Sequence, residues 1–324
     1  MIYTYIMRIT EYGYHLFRTL RPRQWLKNAA IMVPLFFSGL MFDQQNKLLW
    51  NTIYAIIIFC FISSSIYLFN DVIDRENDRK HPFKKFRAIA LGVISVKQAI
   101  IFSSILAFSG LIAALFLDFY FFLMAILYIG LQVTYSYKLK HIAIVDVFAI
   151  ASGFVIRAYA GGFVINLHMM GWLSLCVISG AMLIAVGKRR AELSILTDQS
   201  PAHSTRSVLQ KYPIEVLNSY VNMFATMTII FWSVYTYTFY DALPSKSPIS
   251  SQIISALPQT LAGHNKYMMA TIPIVIYGVM RYLKIIYDGS KAESPERIIL
   301  TDKPLILSLM AYVFLLVIIM YILA

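Results

Sequence analysis

The chain is 324 residues long, 59% hydrophobic and only 14% charged, with a formal net charge of +12. Soluble domains carry roughly 25% charged residues, so this composition excludes an ordinary soluble enzyme and points to a polytopic membrane protein. The surplus of Lys and Arg falls at the ends of apolar runs, where it reads as a topology signal; nucleic-acid binding is a poor explanation of it.

Crossing a bilayer takes about 17 to 25 apolar residues. Such runs lie near 25–42, 49–70, 95–117, 119–137, 143–164, 172–187, 218–239, 267–287 and 304–323. The expectation is an all-α polytopic bundle of nine transmembrane helices forming a single integral membrane domain over 1–324. Met1 to Thr10 lacks the basic-then-apolar order of a cleavable signal peptide, and Arg8 interrupts it. Arg8, Arg18, Arg21, Arg23 and Lys27 precede or open the first run, and six basic residues lie between Arg75 and Arg87 after the second. Lys138 and Lys140 follow the fourth run, Lys188, Arg189 and Arg190 the sixth, and Arg281 and Lys284 close the eighth. Only Lys47, Lys246 and Lys266 lie on the other side. The positive-inside rule then places the N-terminus in the cytoplasm, the C-terminus outside and the charged loops on the cytoplasmic face of an inner (plasma) membrane. Cys60 and Cys176 both fall within apolar runs and read as packing residues.

At the end of the second run stands Asn70-Asp71-Val72-Ile73-Asp74-Arg75-Glu76-Asn77-Asp78. On a continuous helix Asp71, Asp74 and Asp78 share an arc of about 60°, so their charges converge. A hard divalent cation such as Mg²⁺, which is shared between carboxylates and substrate phosphates, offsets such repulsion economically. Arg79, Lys80, Lys84, Lys85 and Arg87 follow at once, a layout that suits an anionic ligand better than the alternative of a solvated acidic helix end.

The fifth run opens after Tyr135-Ser136-Tyr137-Lys138-Leu139-Lys140-His141 and carries Asp146, Gly153 and Arg157. On a helix Gly153 and Arg157 lie within about 20° of Asp146, and Arg157 stands roughly 16 Å along the axis from it. A guanidinium at that depth faces a polar cavity or serves a structural pairing. Gly153 serves ligand approach or plain helix packing, as Gly161 and Gly162 do for packing. The loops at 198–213 and 241–266 carry turn signals and no recognisable chemistry.

The acidic motif in a nine-span bundle resembles the intramembrane prenyltransferase superfamily of the UbiA type. Arg21-Pro22-Arg23-Gln24-Trp25-Leu26-Lys27-Asn28, His81-Pro82-x-Lys84-x-Phe86-Arg87, the stretch from Tyr135 to Asp146, Gly153-Phe154-x-Ile156-Arg157-Ala158, Gly187-Lys188-Arg189-Arg190-Ala191-Glu192-Leu193 and Arg281-Tyr282 resemble, more closely, the decaprenyl-phosphate phosphoribosyltransferase family. Two departures stand out: Ala88 where that family carries Pro, and Lys140 with a lone Asp146 where aromatic prenyltransferases carry a second acid-rich motif.

The resemblance implies transfer of 5-phosphoribose from phosphoribosyl diphosphate to a polyprenyl phosphate, with Mg²⁺ as cofactor and diphosphate released. It makes Asn70, Asp71, Asp74 and Asp78 the metal ligands, and Tyr135, Lys140 and Asp146 the facing half of the donor site. Arg79, Lys84, Arg87, Lys188 and Arg189 are then candidate contacts for the phosphates. Arg157 and the Lys84 to Arg87 loop compete for the lipid phosphate, and the 188–190 cluster doubles as a topological anchor. Self-association is left open. An aromatic prenyltransferase with an apolar diphosphate donor is the alternative; a transporter whose ion path is lined by Asp71, Asp74, Asp146 and Arg157 is a more distant one.

Overall fold

The computed structural model describes residues 12–42, 47–80, 84–198, 212–239, 267–288 and 301–323. All regular structure among them is helical, and eight helices are long and apolar enough to cross a membrane. The sequence motif at His81-Pro82, most of the 198–213 loop and nearly all of 241–266 lie outside these residues. Contacts divide the chain into two compact units, one of Met1–His168 with Ala202–Val208 and one of Met169–Pro201 with Leu209–Ala324.

The first unit opens with a helix over 12–19, α1. The first apolar run expected from the sequence, 25–42, is built unlike the other eight: Pro22–Met32 winds as a 3₁₀ helix and Val33–Phe36, α2, adds one α-turn. Pro22 and Pro34 both lack an amide donor and stand at the starts of these pieces, so the backbone ladder restarts instead of running through. Leu48–Ile73 follows as α3, then Arg75–Lys80 as α4, a 3₁₀ turn at Lys84–Phe86, and the short α5 at Ala88–Leu91. Gly92 closes α5 in the left-handed region at φ 83°, a conformation that glycine adopts without strain. Ser95 and Gln98 form a reciprocal capping box that starts α6, Val96–Leu117. Asp118 ends α6 and caps α7, Phe119–Tyr137, by accepting from the Phe121 amide at 2.7 Å.

After a 3₁₀ turn at Leu139–His141, α8 spans Val145–Val164. Its buried face is made of small residues, among them Ala149, Ala151, Gly153, Ala158, Ala160, Gly161 and Gly162. Without a hydrophobic drive between helices in lipid, small side chains that permit close backbone approach supply the packing. The 3₁₀ segment uses this space: a Cβ built on Gly161 would meet the Ile31 carbonyl oxygen at 1.9 Å. The core of this unit gathers Ile58, Phe59 and Ile62 of α3 with Phe121, Ala125 and Tyr128 of α7 and Ile156 and Ala160 of α8. A second cluster of Leu68, Ala88, Ile89, Ile94 and Ala99 takes Leu16 and Leu20 against it, which docks α1 on the 84–94 segment.

The second unit holds α9, Gly171–Asp198; α10, Ile214–Thr238; α11, Ile272–Tyr287; and α12, Lys303–Ile318. Thr228 of α10 donates to the Ser179 hydroxyl of α9 at 3.2 Å. Arg281 of α11 grips Asp302 with two bonds of 3.0 and 2.8 Å, and the same carboxylate caps α12 through the Leu305 amide. Gly187 of α9 leaves room for Ile286 and the Tyr282 hydroxyl, which a Cβ would meet at 2.6 and 2.9 Å.

Candidate active site

Local backbone geometry decides where the acids point. α3 carries Asn70 and Asp71 in its last turn and ends at Asp74, whose φ of −84° and ψ of 2° leave the α region. The chain resumes as α4, and amide bonds from Asp74 to Asn70 and from Asp78 to Asp74, 2.9 and 2.8 Å, carry the ladder across the junction. The single continuous face expected from the sequence is therefore bent, and the three carboxylates divide into two groups. Asp71 and Asp78, 3% and 4% exposed, turn to Arg87. Its Nη1 donates to Asp71 at 3.1 Å and to Asp78 at 2.7 Å. Arg21 donates to the same oxygen of Asp71. Asp74 turns the other way and pairs with the Lys140 ammonium at 2.7 Å. The Asn70 side-chain oxygen accepts from the Ser136 hydroxyl of α7.

Each acid of the motif is thus compensated by a basic side chain, and among the described residues no three acid, His or Cys groups sit together as a metal site. The donor chemistry nevertheless suits a hard divalent cation. Every candidate ligand offers oxygen, two of the carboxylates are withdrawn from solvent, and all three already attract positive charge. Burial pushes the Asp78 carboxyl above its ordinary value; Arg87 pulls it down, the neighbouring Asp71 charge adds to the rise, and Lys84 lowers it.

Positive-φ backbone marks both sides of the acids. Arg21 sits at φ 55° immediately before the 3₁₀ segment, and its guanidinium lies over the Tyr67 ring at 5.1 Å. Ile144, a β-branched residue at φ 69°, directly precedes α8. Such a residue pays for this conformation, and strain of this kind concentrates at functional sites. Asp146 follows in the first turn of α8, wholly buried, where the helix dipole favours its charge. Tyr135 is half-buried near the end of α7.

Arg79, expected as a phosphate contact, spends its Nε on the Ala90 carbonyl at 3.1 Å and pairs with Glu76, bracing α5 instead. Arg157 is buried away from the acid motif in a knot of neutral acceptors. It donates to the Asn28 side chain at 2.8 Å, the Gly153 carbonyl at 2.7 Å and the Tyr128 hydroxyl at 2.7 Å, and lies over the Tyr128 ring at 4.5 Å. Gly153 therefore serves packing in this structure: a Cβ there would press on Gln132 at 3.1 Å and on Arg157 at 3.5 Å. Lys188 and Arg189 belong to the second unit. Arg189 is fully buried and pairs with Glu192 one turn on, while Arg190 donates to Asn218 at 3.1 Å and lies over the Tyr287 ring at 4.9 Å.

Beside Asp71 a cavity of about 210 Å³ is lined by Lys84, Phe86 and Arg87 from the loop expected to bind anions, and by Arg21, Arg18 and His15 from the N-terminal segment. His15 and Arg18 were not among the site candidates. The signal for them was their spacing of three on one helical face, continued by Arg21.

A multi-pass helical membrane protein whose charged motif closes one transmembrane helix is the architecture of the intramembrane transferases. Residues 31–189 match the model of the UbiA prenyltransferase family. The chain is 32% identical to decaprenyl-phosphate phosphoribosyltransferase of Mycolicibacterium smegmatis over 92% of its own length and 90% of the relative's. It is 30% identical to the protein of that name from Corynebacterium glutamicum, over 94% and 86% of the two chains. Among solved structures, a UbiA homolog from Archaeoglobus fulgidus bound to GPP and Mg²⁺ superimposes with a TM-score of 0.65 at 16% identity, over 95% of this chain and all of that one. That likeness bears on the fold alone. The chain belongs to the UbiA prenyltransferase family, and by its full-length relatives it is a transferase.

Proposed function

We propose that this enzyme transfers 5-phosphoribose from phosphoribosyl diphosphate to a polyprenyl phosphate, as a single membrane-embedded domain of the inner (plasma) membrane with its active site at the cytoplasmic face. The observation that carries this reading is the pair formed by Asp74 and Lys140. A prenyl diphosphate offers only its diphosphate to a headgroup site, whereas phosphoribosyl diphosphate brings a further phosphate that needs a cation of its own. Lys140 provides that cation opposite the acid motif. The names of the full-length relatives support the same donor and acceptor.

Asn70, Asp71, Asp74 and Asp78 are the residues that would hold Mg²⁺, which when bound neutralises charge on departing diphosphate. The chain's own groups do the rest. Arg87 and Lys140, whose partners in the structure are the motif carboxylates, would contact the donor phosphates. Asp146 and Tyr135 orient the sugar from the α7–α8 side. The bond from ribose C1 to the diphosphate oxygen breaks as a lipid phosphate oxygen bonds to C1, and the electron pair leaves with diphosphate. No general base is required, because a phosphate monoester is largely ionised at pH 7. Catalysis is then positioning and electrostatics.

The test is direct. Purified full-length protein given polyprenyl phosphate and isotopically labelled phosphoribosyl diphosphate should form a labelled lipid and release diphosphate with Mg²⁺ and fail to do so with EDTA. Absence of labelled lipid, together with transfer from a prenyl diphosphate to an aromatic acceptor, would replace this reading with the aromatic prenyltransferase.

A further inference from the structure

We propose that the cavity between α1 and the Lys84–Phe86 turn holds the phosphate head of the acceptor lipid, with Arg18 as its anchoring residue. This inference rests on the reading above for the identity of the acceptor.

Charge makes the first argument. Arg18, Arg21, Lys84 and Arg87 line the cavity with one carboxylate, Asp71; Arg87, assigned above to the donor, is also held by Asp78. Asp71 is already shared between Arg21 and Arg87. Arg18 has no carboxylate partner among the described residues, and His15 adds a further nitrogen-bearing ring to the same wall. A cationic lining suits an anionic head such as a phosphate monoester.

Size makes the second. At about 210 Å³ the cavity falls below the roughly 300 Å³ at which pockets for whole drug-sized ligands begin. It is of a size to admit a phosphate headgroup.

The third argument is the apolar rim. α1 packs Leu16, partly buried, against the 84–94 segment and leaves Tyr14 and Phe17 exposed, at 61% and 56%. Phe86, itself part of the cavity wall, is 60% exposed. Tyr14, an apolar ring with a polar hydroxyl, suits the membrane interface, and the exposed rings of Phe17 and Phe86 suit contact with a hydrocarbon chain. A ligand with an anionic head and a hydrocarbon chain satisfies both the cationic wall and this rim, whereas free phosphate satisfies only the first. Asp71 is common to the cavity and to the acid motif, so a head held here stands beside the reacting groups.

Equilibrium binding to the full-length protein in nanodiscs, with polyprenyl phosphate, polyprenol, inorganic phosphate and phosphoribosyl diphosphate as separate probes, tests this. Arg18→Gln should weaken polyprenyl phosphate binding about tenfold, the size expected for one charge-assisted contact. It should leave phosphoribosyl diphosphate binding within about twofold of wild type. Arg18→Lys should recover most of the loss, and Lys97→Gln, an exposed cation on α6, should change neither ligand. Equal binding of polyprenol and polyprenyl phosphate, tighter binding of inorganic phosphate than of the lipid, a loss falling on phosphoribosyl diphosphate, or no effect of Arg18→Gln would each overturn the assignment. Wild-type protein that binds the lipid through Arg18 yet makes no phosphoribosyl lipid would sink the proposed reaction and leave this site standing.

Discussion

Asp71→Asn is expected to lower turnover about a thousandfold while the purified protein remains folded and monodisperse. Asp71 is nearly fully buried and takes bonds from both Arg21 and Arg87. It is the one carboxylate that belongs to the acid motif and to the cationic cavity alike. Removing a single preorganised electrostatic group from an active site costs roughly 10²- to 10³-fold in turnover, and this residue serves two partners. The fold should survive, because asparagine keeps the shape and one acceptor, and the side chains of Arg21 and Arg87 are 28% and 29% exposed and so can turn to water. Turnover above about a tenth of wild type would remove Asp71 from the catalytic centre; the measurement is the labelled-lipid assay beside size-exclusion chromatography of each preparation.

Gly161→Ala should be strongly disruptive. The added Cβ would lie 1.9 Å from the carbonyl oxygen of Ile31 and 2.8 Å from its carbon, and backbone cannot step aside as a side-chain tip can. The 3₁₀ segment would have to lift from α8, pulling Asn28 from Arg157 and displacing the Arg21 that reaches Asp71. Overpacking of this kind costs about 3 kcal/mol, or a fall of roughly 5–10 °C in the unfolding midpoint for a chain of this size. Activity should fall with it. Gly130→Ala is the control: nothing lies within 4 Å of a Cβ there, and alanine favours a helix over glycine, so its midpoint should hold or rise slightly. Equal midpoints for the two variants would show that Ile31 does not approach Gly161 as closely as described.

Much of this architecture was legible because lipid imposes a simple rule on sequence: eight apolar runs became eight long helices, most with ends within a few residues of those expected, while the sixth, expected to end at 187, continues to Asp198. The exception, 25–42, was apolar enough to pass as a span, but composition carries no information on the 3₁₀ winding that starts at Pro22 or on the break at Pro34. The acid motif was legible as a motif and misread as a surface. A uniform 100° step placed three carboxylates together, whereas the helix end at Asp74 sends that side chain to Lys140 and leaves Asp71 and Asp78 with Arg87. Pairings that join Asp71 to Arg21, fifty residues earlier in the chain, follow from tertiary packing and have no periodic signature. Arg157 stood out in the sequence as a cation inside an apolar run; its acceptors, Asn28, Tyr128 and Gly153, are uncharged and so gave no charge pattern to find. Arg18 had been absorbed into the topology signal, which assigns cations to a side of the membrane and says nothing of what they face.

On the proposed function, the acids of residues 70–78 would hold a divalent cation together with the donor's diphosphate, with Arg87 and Lys140 on the phosphates. Mn²⁺, a stand-in for Mg²⁺ that can be counted spectroscopically, makes this measurable by equilibrium dialysis of full-length wild-type and Asp71→Asn protein with and without phosphoribosyl diphosphate. The account predicts that wild-type protein retains metal and donor together, each raising retention of the other, and that Asp71→Asn loses this mutual effect. Donor retained equally with and without Mn²⁺, or metal retention untouched by Asp71→Asn, would contradict it.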